Sequence, residues 1–261
     1  MLDTFNFASP QSANYQEFLG GNTIRDWIKP RGVSMVRMLL IGAGGGGDVG
    51  STSAAGLGGG SSAVTSWIGP AIFIPDELRV NVAVGGTSST NAGRNTQIIY
   101  QAKDGTGYTL LTANGGSFNT AGAVSTNNYF GAAGIFSSIA GQAGGTSSGS
   151  ITASTTTFLS GGAGGSGSTT GSGGNVATNY GYPTVSGGAG TTGGNGADGY
   201  FISQPILLSV GGAGGGGNAV TTGGNGGRGG IGSGGGGGGR GTTAGGAGGR
   251  GGDGAVFIWA W

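Results

Sequence analysis

Alternation of apolar and polar residues predicts β-strands in the first part of the chain. In LRVNVAV, residues 78–84, Leu or Val stands at every even position, so one face of an extended strand would be apolar. Residues 33–41 and 63–84 have strand character as a whole. TQIIYQA and YTLLTA flank KDGTG, in which Asp104-Gly105 is a typical hairpin turn. These stretches predict a β-rich base over residues 33–110.

The two ends of the chain differ from its middle. The final seven residues, AVFIWAW, are apolar and strand-like, and such a strand needs a partner. MVRMLLI, residues 35–41, is the natural one, so we expect residues 255–261 to return to the base. Residues 1–32 have ordinary composition with several aromatic residues. We interpret them as an N-terminal attachment or packing segment, with attachment slightly favoured.

Between about 111 and 254 ordinary alternation fades, and glycine recurs with a period of three. Glycine occupies every third position from 187 to 199 and again from 223 to 241; the phase slips at Ala244 and resumes at Gly245. A flexible linker needs no such phase. Three residues per turn is the period of the extended left-handed polyproline-type helix, which collagen also uses. Collagen is disfavoured here because none of the six prolines lies inside these triplets.

The alternative is a bundle of polyglycine-II-type helices over 111–254. Such helices lack internal hydrogen bonds, so their buried main-chain groups must pair with neighbouring helices. A central helix needs glycine on all faces, as in GSGGGGGG (232–239), whereas an outer one can carry polar residues, as in TGGNGGRGG. We therefore predict a mainly β and irregular fold with almost no α-helix. Its structural glycines are Gly187, Gly190, Gly193, Gly196, Gly223, Gly226, Gly229, Gly232, Gly235 and Gly238.

Composition argues against most chemistry. Glycine accounts for 71 of 261 residues, charged residues for 7%, and the net charge is +1. Nucleic-acid binding needs clustered Lys and Arg, so we expect no nucleic-acid partner. The chain has no His and no Cys, which removes the commonest general base and metal ligands. We predict a protein that is not an enzyme and has no catalytic residue, metal or cofactor.

One motif suggests a nucleotide site, but its context does not. The strand MVRMLLI ends in Gly42-x-Gly44-x-x-Gly47, the spacing of a dinucleotide-binding turn. The glycines should then open a helix, yet Gly58–Gly60 would break it, and no acidic residue lies between Asp48 and Asp76. In so glycine-rich a chain, the match is expected by chance.

The sequence shows no recognisable signal for secretion or for membrane insertion. The first residues lack the basic and apolar regions of a secretory signal, and no apolar stretch reaches the roughly 18 residues of a membrane span. We expect synthesis in a cytoplasm and no membrane insertion.

Aromatic and amide residues between the glycine runs are the candidates for recognition. Aromatic rings on loops held by a rigid scaffold give contact area at low entropic cost. The alternative is that these rings cap an interior poor in side chains, which we favour for Phe130 and Phe136. The candidate receptor-binding residues are Tyr129, Tyr180, Tyr182, Tyr200, Asn127, Asn128 and Asn179.

The sequence resembles the glycine-rich adhesins at the tips of long tail fibres of T-even-like bacteriophages, and the wider set of glycine-rich phage proteins. The resemblance lies in WIKPRGVSMV (27–36), which leads into a strand and a glycine run, and in GGDGAVFI (251–258). It implies a sandwich of polyglycine-type helices whose variable loops bind host outer-membrane receptors. The fibre-attachment domain of those adhesins has no counterpart in residues 1–30.

Three functions follow as hypotheses. The first is a receptor-binding adhesin of a tail fibre or spike, on the virion surface, with other virion proteins and a host protein or glycan as partners. The second is a structural capsid-decorating or fibre subunit. The third is an ice-binding protein, against which the aromatic insertions and the β-rich first third argue. Monomer and homo-oligomer both remain open.

Overall fold

Regular secondary structure in this protein is nearly all β-strand. The structure is a computed structural model, and it describes residues 14–21, 24–88, 92–156, 158–179, 181–203 and 207–261. The helical pieces among them are single 3-10 turns at Ala71–Phe73 and Gly131–Ala133. This confirms a mainly β fold with almost no helix. The strands are β1 Asn14–Leu19, β2 Ile24–Ile28, β3 Met35–Ile41, β4 Val64–Pro70, β5 Glu77–Asn81, β6 Thr96–Gln101, β7 Gly107–Ala113, β8 Ile135–Ile139, β9 Ile151–Thr152, β10 Val176–Ala177, β11 Phe201–Ile202, β12 Leu208–Ser209 and β13 Ala255–Ala260.

Five antiparallel strands form one sheet in the order β1-β13-β3-β4-β8. The expected pairing of the last strand with MVRMLLI is confirmed, with Ala255 opposite Ile41 and Ala260 opposite Val36. β1 pairs with the other edge of β13, so residues 14–19 of the N-terminal segment are part of the sheet. Strand β8 also joins this sheet, although its sequence lies in the stretch where alternation fades.

Four antiparallel strands form a second sheet in the order β2-β5-β6-β7. The hairpin predicted around KDGTG is confirmed, since β6 and β7 pair across it and Asp104 Oδ1 accepts the N–H of Thr106 at 2.9 Å. In β5 the predicted inward positions, Leu78 and Val80, are buried. Strand β2 contributes Trp27, which is 1% exposed.

The two sheets pack face to face around a shared hydrophobic core. Alternate residues of each sheet point into it, because successive side chains of a strand face opposite ways. Burying such apolar area stabilises the fold by about 25 cal/mol per Å². The largest members are Trp27, Met38, Leu40, Trp67, Leu78, Ile98, Leu111 and Ile258.

The two ends of this sandwich differ in character. At one end β3 runs into Gly42, β4 is preceded by Ala63, and β13 is preceded by Gly254, so the strands continue directly into glycine-rich stretches. The opposite end, here called the outer end, carries loops 29–34, 70–76, 102–106 and 129–134. Asn14 and Trp261 also lie there.

Main-chain hydrogen bonds donated by residues 234–241, the central segment, repeat every third residue. The N–H groups of residues 234, 237 and 240 donate to segment 160–166, at N···O distances of 2.8 to 3.1 Å. Those of residues 235, 238 and 241 donate to segment 45–51, and those of residues 236 and 239 donate to segment 224–227. One strip of the central segment therefore faces one neighbour along its whole length.

Carbonyl groups of the central segment show the same repeat. They accept from segment 212–218 at residues 234, 237 and 240, from segment 56–59 at residues 235 and 238, and from segment 246–249 at residues 236 and 239. The central segment thus has six main-chain-bonded neighbours. We call the whole set the glycine network. It extends beyond residues 111–254, because segments 45–51 and 56–59 belong to it.

The long glycine run from 223 to 241 is interrupted by a turn. Gly232 has φ +69°, and the stretches on its two sides bond to each other in antiparallel fashion. Glycine is the residue that adopts this left-handed conformation without strain. The phase slip at Ala244 likewise falls at a turn, between the central segment and segment 246–249.

Candidate functional site

Five turns of the glycine network meet at the end of the central segment that lies away from the sandwich. They are turns 51–54, 168–171, 190–193, 218–222 and 241–244. Main-chain bonds join them: Ala219 N–H donates to Thr191, Thr242 N–H to Thr221, Gly241 N–H to Ser51, and Gly217 N–H, next to turn 218–222, donates to Gly171, at 2.8 to 3.3 Å. The other end of the central segment adjoins Ile41 through Gly232. We call the surface formed by the five turns the hydroxyl tip.

Side-chain hydrogen bonds fix the shape of these turns. Asn218 Oδ1 accepts the N–H groups of Val220 and Thr221, both at 2.9 Å, and its Nδ2 donates to the carbonyl of Thr192 at 3.2 Å. Ser51 Oγ accepts the N–H of Ala54 at 2.8 Å. Asn and Ser side chains commonly organise turns in this way. The tip is therefore ordered by its own bonding.

Hydroxyl side chains dominate the exposed surface of the tip. Val220 is a large apolar residue that is also exposed there, with 73% of its surface accessible. Arg240 supplies a positive charge beside the turns, and its Nε donates to the carbonyl of Thr52 at 2.8 Å. The exposed hydroxyl residues are Thr52, Ser53, Ser168, Thr170, Thr191, Thr192, Thr221, Thr222, Thr242 and Thr243.

A concave surface, the aromatic groove, lies at the outer end of the sandwich. It has a volume of about 580 Å³ and is lined chiefly by Phe73, Tyr100, Tyr108, Tyr129 and Phe130. The rings of Tyr100 and Tyr108 lie 6.5 Å apart and nearly parallel, and those of Tyr108 and Tyr129 lie 6.3 Å apart. Hairpin β6–β7 and loop 129–134 hold these rings in place.

Steric constraints explain why the glycine network needs glycine. At Gly236, a Cβ atom would overlap the carbonyl oxygen of Ala213. Eight of the ten predicted structural glycines face a neighbouring main-chain oxygen in this way, and the remaining two, Gly193 and Gly232, have positive φ values. The eight are Gly187, Gly190, Gly196, Gly223, Gly226, Gly229, Gly235 and Gly238.

Comparison with known families finds a matching family model. Residues 19–261 match the family described as the glycine-rich domain. The chain belongs to this glycine-rich domain family. A search of curated proteins finds no similar protein.

Three of the predicted recognition residues lie beside the aromatic groove of this glycine-rich domain. Tyr129 lines it and is 65% exposed. Asn127 Nδ2 donates to the carbonyl of Thr109 at 3.1 Å, and Asn128 Nδ2 donates to that of Gly131 at 3.1 Å. Both amides thus hold the loop that carries Tyr129.

Three other predicted residues lie on the side of the glycine network. Tyr182 and Tyr200 pack against a second hydrophobic cluster, which includes Val176, Val185 and Leu208. The Tyr200 hydroxyl donates to the carbonyl of Pro183 at 2.8 Å, and burial raises the pKa of its phenol. Asn179 is exposed, and its Nδ2 donates to the carbonyl of Ala153 at 3.4 Å. Tyr180 lies outside the described residues.

The predicted recognition residues therefore occupy two places, and none of the described ones belongs to the hydroxyl tip. The tip was missed because its hydroxyl pairs are far apart in the sequence. The available signal was the recurrence of Ser/Thr runs between glycine runs: STS at 51, STT at 168, TT at 191, TT at 221 and TT at 242.

The described residues contain neither a cluster of metal-ligating side chains nor a helix that could span a membrane. No group of three or more acidic residues is placed among them to hold a metal ion, and none of their helices has the length and apolarity of a membrane span.

In the GxGxxG stretch, Gly44 and Gly47 follow β3 into the glycine network, and Gly44 N–H donates to Gly252 at 2.9 Å. That backbone is committed to neighbouring segments rather than to the start of a helix.

Proposed function

We propose that this protein is a non-enzymatic virion surface protein, a receptor-binding adhesin of a phage tail fibre or spike. It contacts the host cell surface through the turns between its glycine segments. The observation that carries the proposal is the convergence of five turns, distant in sequence, at one end of a scaffold bonded through its main chain. Loops held by a rigid scaffold are a common site of recognition.

The glycine network is, in this account, a bundle of polyglycine-II-type helices. The inference is supported by the three-residue repeat of hydrogen-bond partners around residues 234–241, and by their six neighbours. Three residues per turn gives each helix lateral strips that repeat every third residue. Such a bundle holds its turns in place with few large side chains, so the sequence of the tip can change while the bundle stays the same.

Chemistry at the tip suits a polar receptor. Ser and Thr hydroxyls both donate and accept hydrogen bonds, and ten of them are exposed there, with Arg240 as a cation. A host outer-membrane protein loop or a surface glycan presents complementary groups. Asn14 and Trp261 lie at the outer end of the sandwich, remote from the tip, which suits attachment to other virion proteins at that end.

Adsorption to cells of the bacterial host tests the proposal. The purified protein should bind the cells at micromolar concentration and block infection. The double substitution Thr222→Arg and Thr243→Arg should reduce both effects at least about tenfold, because it fills the tip with large charged groups. Ser137→Arg, on the exposed edge strand β8, is the matched control and should act like the wild type. Absence of adsorption, or equal adsorption by the tip variant, would contradict the proposal.

A structural role as a capsid-decorating or fibre subunit is the second candidate. Exposed apolar residues at the outer end favour it, notably Ile28, Ile72 and Ile135, which are 70%, 83% and 74% exposed. Large exposed apolar groups mark protein–protein contacts when they cluster. Labelling of virions with an antibody, viewed by electron microscopy, separates the candidates: an adhesin lies at a fibre tip, and a decorating subunit covers the capsid.

A further inference from the structure

We propose that the aromatic groove at the outer end of the sandwich is a binding site for a neutral saccharide. This site lies on the sandwich and not on the hydroxyl tip, so the inference holds whether or not the tip binds a receptor. It assigns a ligand to Tyr129 and joins to it Tyr100 and Tyr108, which the sequence analysis did not single out.

The first argument is shape. The groove volume of about 580 Å³ falls within the range of about 300–1,000 Å³ that is usual for small-ligand sites. Tyr108 and Tyr129 are 40% and 65% exposed, and Phe73 is 55% exposed. Aromatic rings of this size are seldom left in solvent in a group, because each would gain by burial. A ligand laid across the three rings would cover them.

The second argument is the chemistry of the lining. No charged side chain lines the groove among the residues that the structure describes. This disfavours a phosphate, a nucleic acid or an acidic peptide as its ligand. The faces of aromatic rings are electron-rich and attract weakly polarised C–H groups. A pyranose ring has such a C–H face and carries no charge, so it matches the lining.

The third argument is hydrogen-bonding capacity. Within the described part of the chain, none of the hydroxyls of Tyr100, Tyr108 and Tyr129 has a hydrogen-bond partner. Each can donate one hydrogen bond and accept others. A saccharide offers hydroxyls of both kinds around its ring edge. A purely apolar ligand such as a lipid chain would leave the three phenols unpaired, which costs binding energy.

The groove is also held in a fixed shape. Tyr100 and Tyr108 face each other across the paired strands β6 and β7. Phe130 packs against the buried Trp67, with ring centroids 4.5 Å apart. Asn127 donates to the carbonyl of Thr109 in β7, and Asn128 donates to that of Gly131. These two bonds hold the loop that carries Tyr129. A site with fixed rings loses little entropy when it binds a ligand.

The test is binding of neutral oligosaccharides to the full chain, measured by calorimetry and by protein-observed NMR. The probes are trisaccharides of glucose, galactose and mannose, each used up to about 10 mM, which is enough to detect a binding free energy of only about −4 kcal/mol, a Kd of about 1 mM. We expect at least one to bind with saturation. Tyr108→Ala and Tyr129→Ala should each weaken binding at least fivefold. Ile24→Ala, on edge strand β2 at the opposite edge of the sheet from the groove, is the control and should leave the affinity unchanged.

The melting temperature of Tyr129→Ala and a further variant, Tyr108→Phe, show whether weaker binding is due to loss of folding. Tyr129 lies on a surface loop, so its removal should leave the melting temperature within about 2 °C of the wild type. Tyr108→Phe keeps the ring but loses the hydroxyl, and should bind more weakly than wild type but better than Tyr108→Ala. The proposal is overturned if no trisaccharide binds, or if binding is the same in all variants. The proposal is also overturned if a proline-rich peptide, and no saccharide, binds in the groove.

Discussion

At the scale of single residues, glycine acts in this protein by what it lacks. At most glycines of the network, a main-chain oxygen of a neighbouring segment comes so close that a Cβ atom would overlap it, as the carbonyl of Ala213 shows at Gly236. Ordering glycine is costly, at about 1–2 kcal/mol per residue or more. The close approach offsets this cost by pairing main-chain groups that would otherwise be buried without partners.

Replacement of Gly236 should therefore unfold the protein or make it insoluble. Gly236→Val places a branched side chain against main-chain atoms of Ala213, and we expect a cost near the upper end of the usual range for overpacking, about 3 kcal/mol. We expect a melting temperature lower by at least about 6 °C, or loss to inclusion bodies. Gly107→Ala is the control, because its nearest neighbour would be Ile99 Cγ2 at 3.6 Å. A Gly236→Val protein as stable as wild type would show that this packing is wrong.

The need for glycine at these positions was readable from the sequence as a period of three. The turns at Gly193 and Gly232 were not, because both glycines keep the phase of the run while adopting positive φ. A residue pattern records which positions exclude a side chain. It does not record whether the reason is a close neighbour or a left-handed turn.

At the scale of elements, outer segments replace a missing neighbour with a side chain. Asn195 Oδ1 accepts the N–H of Asn225, and Asn225 Oδ1 in turn accepts the N–H of Ala247, both at 2.9 Å. Asp198 Oδ1 accepts the N–H of Arg228 at 2.7 Å. Asn and Asp residues within the glycine segments thus extend the hydrogen bonding of the network to its surface, where the side chain takes the place of a neighbouring carbonyl group.

Removal of one such amide should cost a measurable part of the stability. Asn225→Ala deletes the acceptor of the Ala247 N–H and should lower the free energy of unfolding by about 0.5–1.5 kcal/mol. Arg228→Ala is the matched control on the same segment, because its N–H keeps the Asp198 acceptor. Chemical denaturation of the two variants measures the difference. Equal stability of Asn225→Ala and Arg228→Ala would show that the amide only decorates the surface.

The strands could be predicted where alternation was regular and not where it was broken. β5 and the β6–β7 hairpin follow a period of two, whereas in IRDWI of β2 only Trp27 is buried and three polar or exposed positions precede it. β8 lies between glycine-rich stretches, where composition conceals its five residues. Short edge strands leave a weak pattern because only one neighbour and one face constrain them.

At the scale of the whole molecule, two parts with different kinds of interior are joined end to end: the β-sandwich and the glycine network. A sandwich with a side-chain core supports a network with almost no side chains, and strands β3, β4 and β13 run directly from one into the other. The hydroxyl tip could not be predicted, because its turns at 51–54 and 241–244 are brought together only by this topology. The aromatic groove likewise combines residues from three separate parts of the chain.

Amide hydrogen exchange across residues 234–239 tests the central claim most directly. Each of these six N–H groups donates to a neighbouring segment inside the network, so all should exchange only through global unfolding, thousands of times more slowly than free peptide. Lys103 and Asp104, in the exposed hairpin turn, should exchange fast in the same sample. Complete exchange of residues 234–239 within seconds, in a protein whose sandwich strands stay protected, would contradict the account.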